Sequence, residues 1–122
     1  MTKSYVSDQA SGAKLIYNNQ HSEMVALALP AGKYALIANG TVEGNNHRSV
    51  HGMIESGGTI VHRQGITLDA KPRFLPFPTL FGVINLPSGG TVRVSCLVSE
   101  FTPGDAAGVS FRLMAFSVDS IG

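Results

Sequence analysis

Tryptophan is absent from this 122-residue chain, cysteine occurs once, and charged residues make up only 14% of it. Each shortage excludes something. The single thiol, Cys96, cannot close an internal disulfide, so the chain is not a small secreted scaffold held by bridges. Nine Lys and Arg against eight Asp and Glu leave a net charge of +1, and the nine are scattered singly from Lys3 to Arg112. Nucleic acid needs clustered basic residues, so it is not an expected partner. No apolar run approaches the roughly 18 residues of a membrane-spanning helix, and Met1 to Gly12 lacks the apolar centre of a signal peptide. The expectation is a chain made in a cytoplasm, with no membrane partner.

Chemical signatures are equally scarce. There is no Gly-x-Ser-x-Gly elbow, the eight carboxylates nominate no pair, and Gly57-Gly58 and Gly89-Gly90 lack the Lys-Ser that follows a phosphate loop. His21, His47, His51 and His62 have no cysteine or carboxylate at zinc-ligand spacing. We expect no enzyme activity, no cofactor and no metal. The histidines read as surface or interface residues, lending mild pH sensitivity between about 5 and 7 where they meet a subunit contact.

What is present is punctuation. Fourteen glycines and six prolines interrupt the chain about every ten residues, with β-branched and aromatic residues between them. This spacing predicts an all-β fold: an antiparallel two-sheet, jelly-roll-like β-sandwich of about eight strands. The strands are expected at 13–17, 23–29, 33–43, 48–56, 59–69, 79–86, 91–99 and 109–119. Residues 1–12 read as an N-terminal arm, open to being flexible, and 13–122 as one sandwich domain.

Leu29-Pro30-Ala31-Gly32 and Leu86-Pro87-Ser88-Gly89 place proline second and glycine fourth in a β-turn, each closing one strand and opening the next. Further turns are expected at Gly44-Asn45-Asn46 and Ser56-Gly57-Gly58. Convergent turn chemistry explains the repeated Leu-Pro-x-Gly more cheaply than internal duplication. After the second turn Val92, Val94, Cys96 and Val98 alternate with Thr91, Arg93, Ser95 and Leu97, which puts Cys96 on the core side.

Two segments bear on function. From Lys71 to Phe81, prolines at 72, 76 and 78 remove ladder donors, so the stretch reads as an extended crossing or edge segment. Its phenylalanines, Phe74, Phe77 and Phe81, are either a core plug or a contact surface. The last strand, Val109 to Val118, is apolar on both sides: Val109, Phe111, Leu113 and Ala115 share one face, and Met114, Phe116 and Val118 the other. The first set suits the domain's own core. The second implies another layer, supplied by the same chain or by another copy. Met114, Phe116, Val118, Phe74 and Phe77 are therefore the candidate oligomer or lattice interface. Asn45, Asn46, His47 and Arg48 form the candidate ligand loop, with carbohydrate as the alternative partner, although Tyr34, at a strand start, reads as core.

The Leu29-Pro-Ala-Gly-Lys-Tyr34 stretch, the Leu86-Pro-Ser-Gly-Gly-Thr-Val92 turn and strand, and the closing Arg112-Leu-Met-Ala-Phe-Ser-Val-Asp119 together resemble the small jelly-roll domains of tailed-phage virion proteins. These are broadly similar to tumour-necrosis-factor and C1q heads. The resemblance spans roughly residues 23 to 119 and rests on turn-and-strand grammar. It implies a homo-oligomer, trimeric by preference, located in a virion on a capsid or tail protein, with the last strand near the subunit contact. No stalk is present, which favours a capsid decoration or cement protein over a fibre tip. The alternative is a glycan- or receptor-binding jelly-roll module of a tail or fibre.

Overall fold

The computed structural model describes residues 3–8, 14–16, 22–44, 48–68, 73–99 and 107–118, all but Lys3 in strands or in the turns between them. The strands are β1 (Ser4–Asp8), β2 (Lys14–Ile16), β3 (Ser22–Leu29), β4 (Gly32–Gly44), β5 (Arg48–Ser56), β6 (Thr59–Leu68), β7 (Arg73–Leu86), β8 (Gly90–Ser99) and β9 (Ala107–Val118). They form two antiparallel sheets. Sheet A has the order β1-β9-β4-β7, with β2 pairing β9 beyond β1, and sheet B has the order β3-β8-β5-β6. Because β1 and β2 lie along the same strand, the sheets have eight strand positions between them, in jelly-roll order.

The two Leu-Pro-x-Gly turns make the fold double over. Each joins strands of different sheets, β3 to β4 and β7 to β8, so both are crossings rather than hairpins. The second is closed by Gly89 N–H donating to the Leu86 carbonyl at 3.1 Å, with Gly89 at φ 77°. The first is tied by the Tyr34 hydroxyl, which donates to the Pro30 carbonyl at 2.7 Å. Gly57 and Gly58, at φ 57° and 82°, turn β5 into β6.

Between the sheets lies one apolar cluster. Val109, Phe111, Leu113 and Ala115 of β9 are buried there with Leu36, Val42, Leu80, Val92, Val94 and Cys96. Tyr34 is buried too, as its strand position implied. Each large aliphatic or aromatic side chain fully withdrawn from water contributes about 1.5–3 kcal/mol.

Two expectations change. Residues 4–8 of the expected N-terminal arm form β1, held by the β9 ladder and by bonds between Lys3 and Ser117 of 2.7 and 2.8 Å. The proline-rich stretch is strand from Arg73 onward, not only from 79. It is indeed an edge, and Pro78 is tolerated because it falls in a bulge, where Ala38 pairs Leu80 while Gly40 pairs Phe77.

Candidate functional site

Sheet B packs on one face of sheet A only, and the register defines what the other face carries. Val6, Met114, Ile37 and Phe81 lie side by side across β1, β9, β4 and β7. Next to them run Ser4, Phe116, Ala35 and Val83. Alternation puts all eight opposite the buried Leu36, Leu80, Leu113 and Ala115. Val6, Phe81 and Val83 are 54%, 58% and 54% exposed, and Met114, Phe116 and Val118 are half-buried by their strand neighbours. Among the described residues no second layer covers them. The apolar rows carry no charge. Lys33, paired with Val118 and Asn85, borders them at one end, and Arg112, paired with Asn39, at the other.

The outer face of sheet B is of opposite character. Arg93 Nε lies 3.3 Å from Glu23 Oε1 across β8 and β3, and the Ser95 hydroxyl points at Glu55 Oε1, 3.5 Å away. His51 shares this face, where a Cβ on Gly65 would meet its Nδ1 at 3.0 Å. A shallow cleft of about 550 Å³ opens near the sheet-crossing turns, lined by Ser56, Thr59, Asn85, Thr91 and Arg93 over Leu86. The Ser56 hydroxyl is already committed, donating to the Thr91 carbonyl at 2.7 Å.

The structure sorts the predicted site residues unequally. Met114, Phe116 and Val118 lie on the unlayered face, as the alternation of the last strand requires. Phe77 is not on that face: it is 3% exposed, in the core against Phe111, so of Phe77 and Phe81 it is the one that acts as a plug. Phe74 pairs Glu43 through its backbone in β7, and its side chain lies outside the described residues. Asn45, Asn46 and His47 lie outside them as well, as does His21; Arg48 opens β5 opposite Leu68. Val6 and Val83 were not singled out by the sequence, since only the register places them beside Met114 and Phe116.

Among the described residues neither nucleophilic nor metal chemistry gains a candidate. Burial pushes the Cys96 thiol up to about 12, so at neutral pH it stays protonated and inert. Among the described residues no three His, Cys, Asp or Glu gather to hold a metal ion, and no helix is long and apolar enough to cross a membrane.

No protein-family model matches the sequence, and no curated protein does. Solved structures do resemble it. The VP2 subviral particle of infectious bursal disease virus matches 95% of this chain and 32% of its own, with a TM-score of 0.64 at 12% identity. The Gx strain of that virus matches all of this chain and 34% of its own, with a TM-score of 0.63 at 10% identity. The chain thus spans about a third of these viral proteins. The CBM36-1 domain of a multidomain xylanase, from the hindgut metagenome of Trinervitermes trinervoides, matches over 92% of this chain and 96% of its own, with a TM-score of 0.50 at 11% identity. At such identities the likeness is one of fold: an all-β jelly-roll sandwich shared with viral and carbohydrate-binding-module domains.

Proposed function

We propose that this chain is a non-enzymatic structural protein of a virion. In this reading it is a capsid decoration or cement protein of the tailed-phage kind, which associates with itself, as a trimer, and reinforces a larger protein lattice. The observation that carries the reading is the pair of apolar rows on the outer face of sheet A, from Val6 to Phe81 and from Ser4 to Val83. Association costs about 4–15 kcal/mol in lost freedom, more than one side chain returns, so several must be buried together. Met114, Phe116, Phe81, Val83 and Val6 are such a set. The rows are uncharged, so copies meet there without like-charge pairing. The fold likeness to the subviral particle supports a place in a particle.

Light scattering tests this. The wild type should be an oligomer at micromolar concentration, while Phe116→Asp and the gentler Val83→Lys, at a half-exposed edge position, should be folded monomers by circular dichroism. A monomeric wild type overturns self-association. Folded variants that remain oligomeric remove this face from the contact.

A second reading, a glycan- or receptor-binding module of a tail or fibre, draws on the cleft beside the turns and on the near-complete mutual match to the CBM36-1 domain. Saturable binding on a glycan array, lost when Asn85 and Thr91 of the cleft are replaced by alanine, would favour it over the structural reading; loss on replacing Asn45 and Asn46 instead would move the site to the loop before β5.

A further inference from the structure

Sheet A ends in β7 and sheet B in β6, and these two edges run beside each other without sharing a ladder. Two adjacent residue pairs make the seam. A Cβ on Gly82 would run into Val61, so glycine is what lets β6 come this close. One residue along, the Phe81 N–H donates to His62 Nδ1 at 3.1 Å, and the two rings lie 4.6 Å apart between centres, tilted by 44°. An edge strand has N–H groups with no strand to receive them, and here a side chain of the other sheet takes one.

We propose that His62 is an acid-released latch that closes the seam between the two sheets. An imidazole accepting at Nδ1 is neutral and carries its proton on Nε2. Gln64 Nε2 lies 3.5 Å from that atom, and turning the amide over presents its oxygen to the Nε2–H. A second proton puts a donor on Nδ1, where it confronts the Phe81 N–H and the bond is lost. Imidazole is the side chain that gains this proton between about pH 8 and 5.

No described charge offsets that loss. His51 and Glu55 of β5 and Arg63 of β6 lie on the outer face of sheet B, away from the partner Ile54 that His62 faces across the ladder. From Leu75 to Leu86, β7 has no ionisable side chain. The latch also fixes Phe81, the last member of the Val6 to Phe81 row, but the proposal does not depend on that row being an interface.

Amide hydrogen exchange by nuclear magnetic resonance tests the latch. After correction for the intrinsic pH dependence of exchange, protection of the Phe81 amide should fall about tenfold between about pH 8 and pH 5. The Gly82 and Ile84 amides, which by alternation face β4, should keep theirs. His62→Phe retains a ring against Phe81 without the acceptor and should show low Phe81 protection at both pH values. The nitrogen shift of His62 Nδ1 in the wild type at about pH 8 should be that of an unprotonated acceptor. Unchanged Phe81 protection, an equal pH response in His62→Phe, or a protonated Nδ1 at the higher pH would each overturn the proposal.

Discussion

Phe77 and Phe111 meet edge to face, with 5.3 Å between ring centres and 68° between planes, on either side of Gly40. Gly40 pairs with both of them across sheet A, and a Cβ there would strike the Ser110 carbonyl and come within 2.8 Å of the Phe111 ring. On the far side Phe77 reaches sheet B, where a Cβ on Gly52 would stand 3.0 Å from its ring. Glycine weakens a strand interior, and here that weakness is offset by two aromatic rings seated where side chains are missing.

Gly40→Ala should therefore cost at least about 1–3 kcal/mol, the usual range for overfilling a packed core, and more if the backbone of β9 must shift. Gly90→Ala is the control: a Cβ there meets only Leu86 Cδ2 at 3.6 Å, so its effect should stay within about 0.5 kcal/mol. Urea denaturation of both variants measures the difference. Equal midpoints would mean that Gly40 is not the keystone of the aromatic pair.

Alkaline pH should unfold the protein early. The Cys96 thiol is raised by burial from 9.0 to about 12, so above pH 9 the unfolded chain releases a proton that the native state keeps. Stability is whole below that point and falls as pH rises from 9 toward 12, by about 1.4 kcal/mol per unit once well inside the window. Tyr34 acts in the same direction, its phenol raised first by burial and then by Tyr5. Denaturation measured from pH 8 to pH 10.5 should show a steeper loss in the wild type than in Cys96→Val. Identical slopes would contradict a buried, protonated thiol.

Much of this was legible because strands have a period of two and turns have a chemistry. The division of β9 into Leu113 inside and Met114 outside follows from alternation alone, as does the inward Cys96. The turn at Pro87 follows from its residue types. Sheet membership does not, because whether Leu86 to Gly90 closes a hairpin or crosses the sandwich depends on partners far along the chain. The phenylalanines of β7 show a second obstacle. Strict alternation puts Phe77 and Phe81 on one face, but the bulge around Pro78 shifts the parity, so Phe77 and Leu80 point inward and Phe81 outward. Nothing in Ser4-Tyr-Val-Ser-Asp8 announces β1, whose stability comes from the strand it joins.

That dependence predicts the result of removing residues 1–8. The loss bares the backbone of β9 and takes away Tyr5, whose ring lies 6.0 Å from Tyr34 in a T-shaped contact. An open strand edge beside an apolar face invites pairing between copies. The truncated chain should melt at lower temperature and scatter more light on standing. Tyr5→Ala, which keeps the β1 backbone, should lose about 1–3 kcal/mol without aggregating. Unaltered melting after truncation would show that β1 contributes nothing to the sandwich.

The two sheet-crossing turns also support each other, and a pair of glycines separates that contact from simple backbone strain. Gly89 and Gly58 both have positive φ, 77° and 82°, so alanine at either should cost about 1–2 kcal/mol. At Gly58 a Cβ meets nothing within 4 Å, whereas at Gly89 it would stand 2.8 Å from the Leu29 carbonyl and 3.2 Å from the Ala31 nitrogen. The second alanine must therefore push the Leu86 turn away from the Leu29 turn, and Gly89→Ala should be the more destabilising by at least about 1 kcal/mol. Chemical denaturation of the two variants side by side gives that difference directly. If they are equally stable, the crossings fold independently and their contact does not help hold the sheets together.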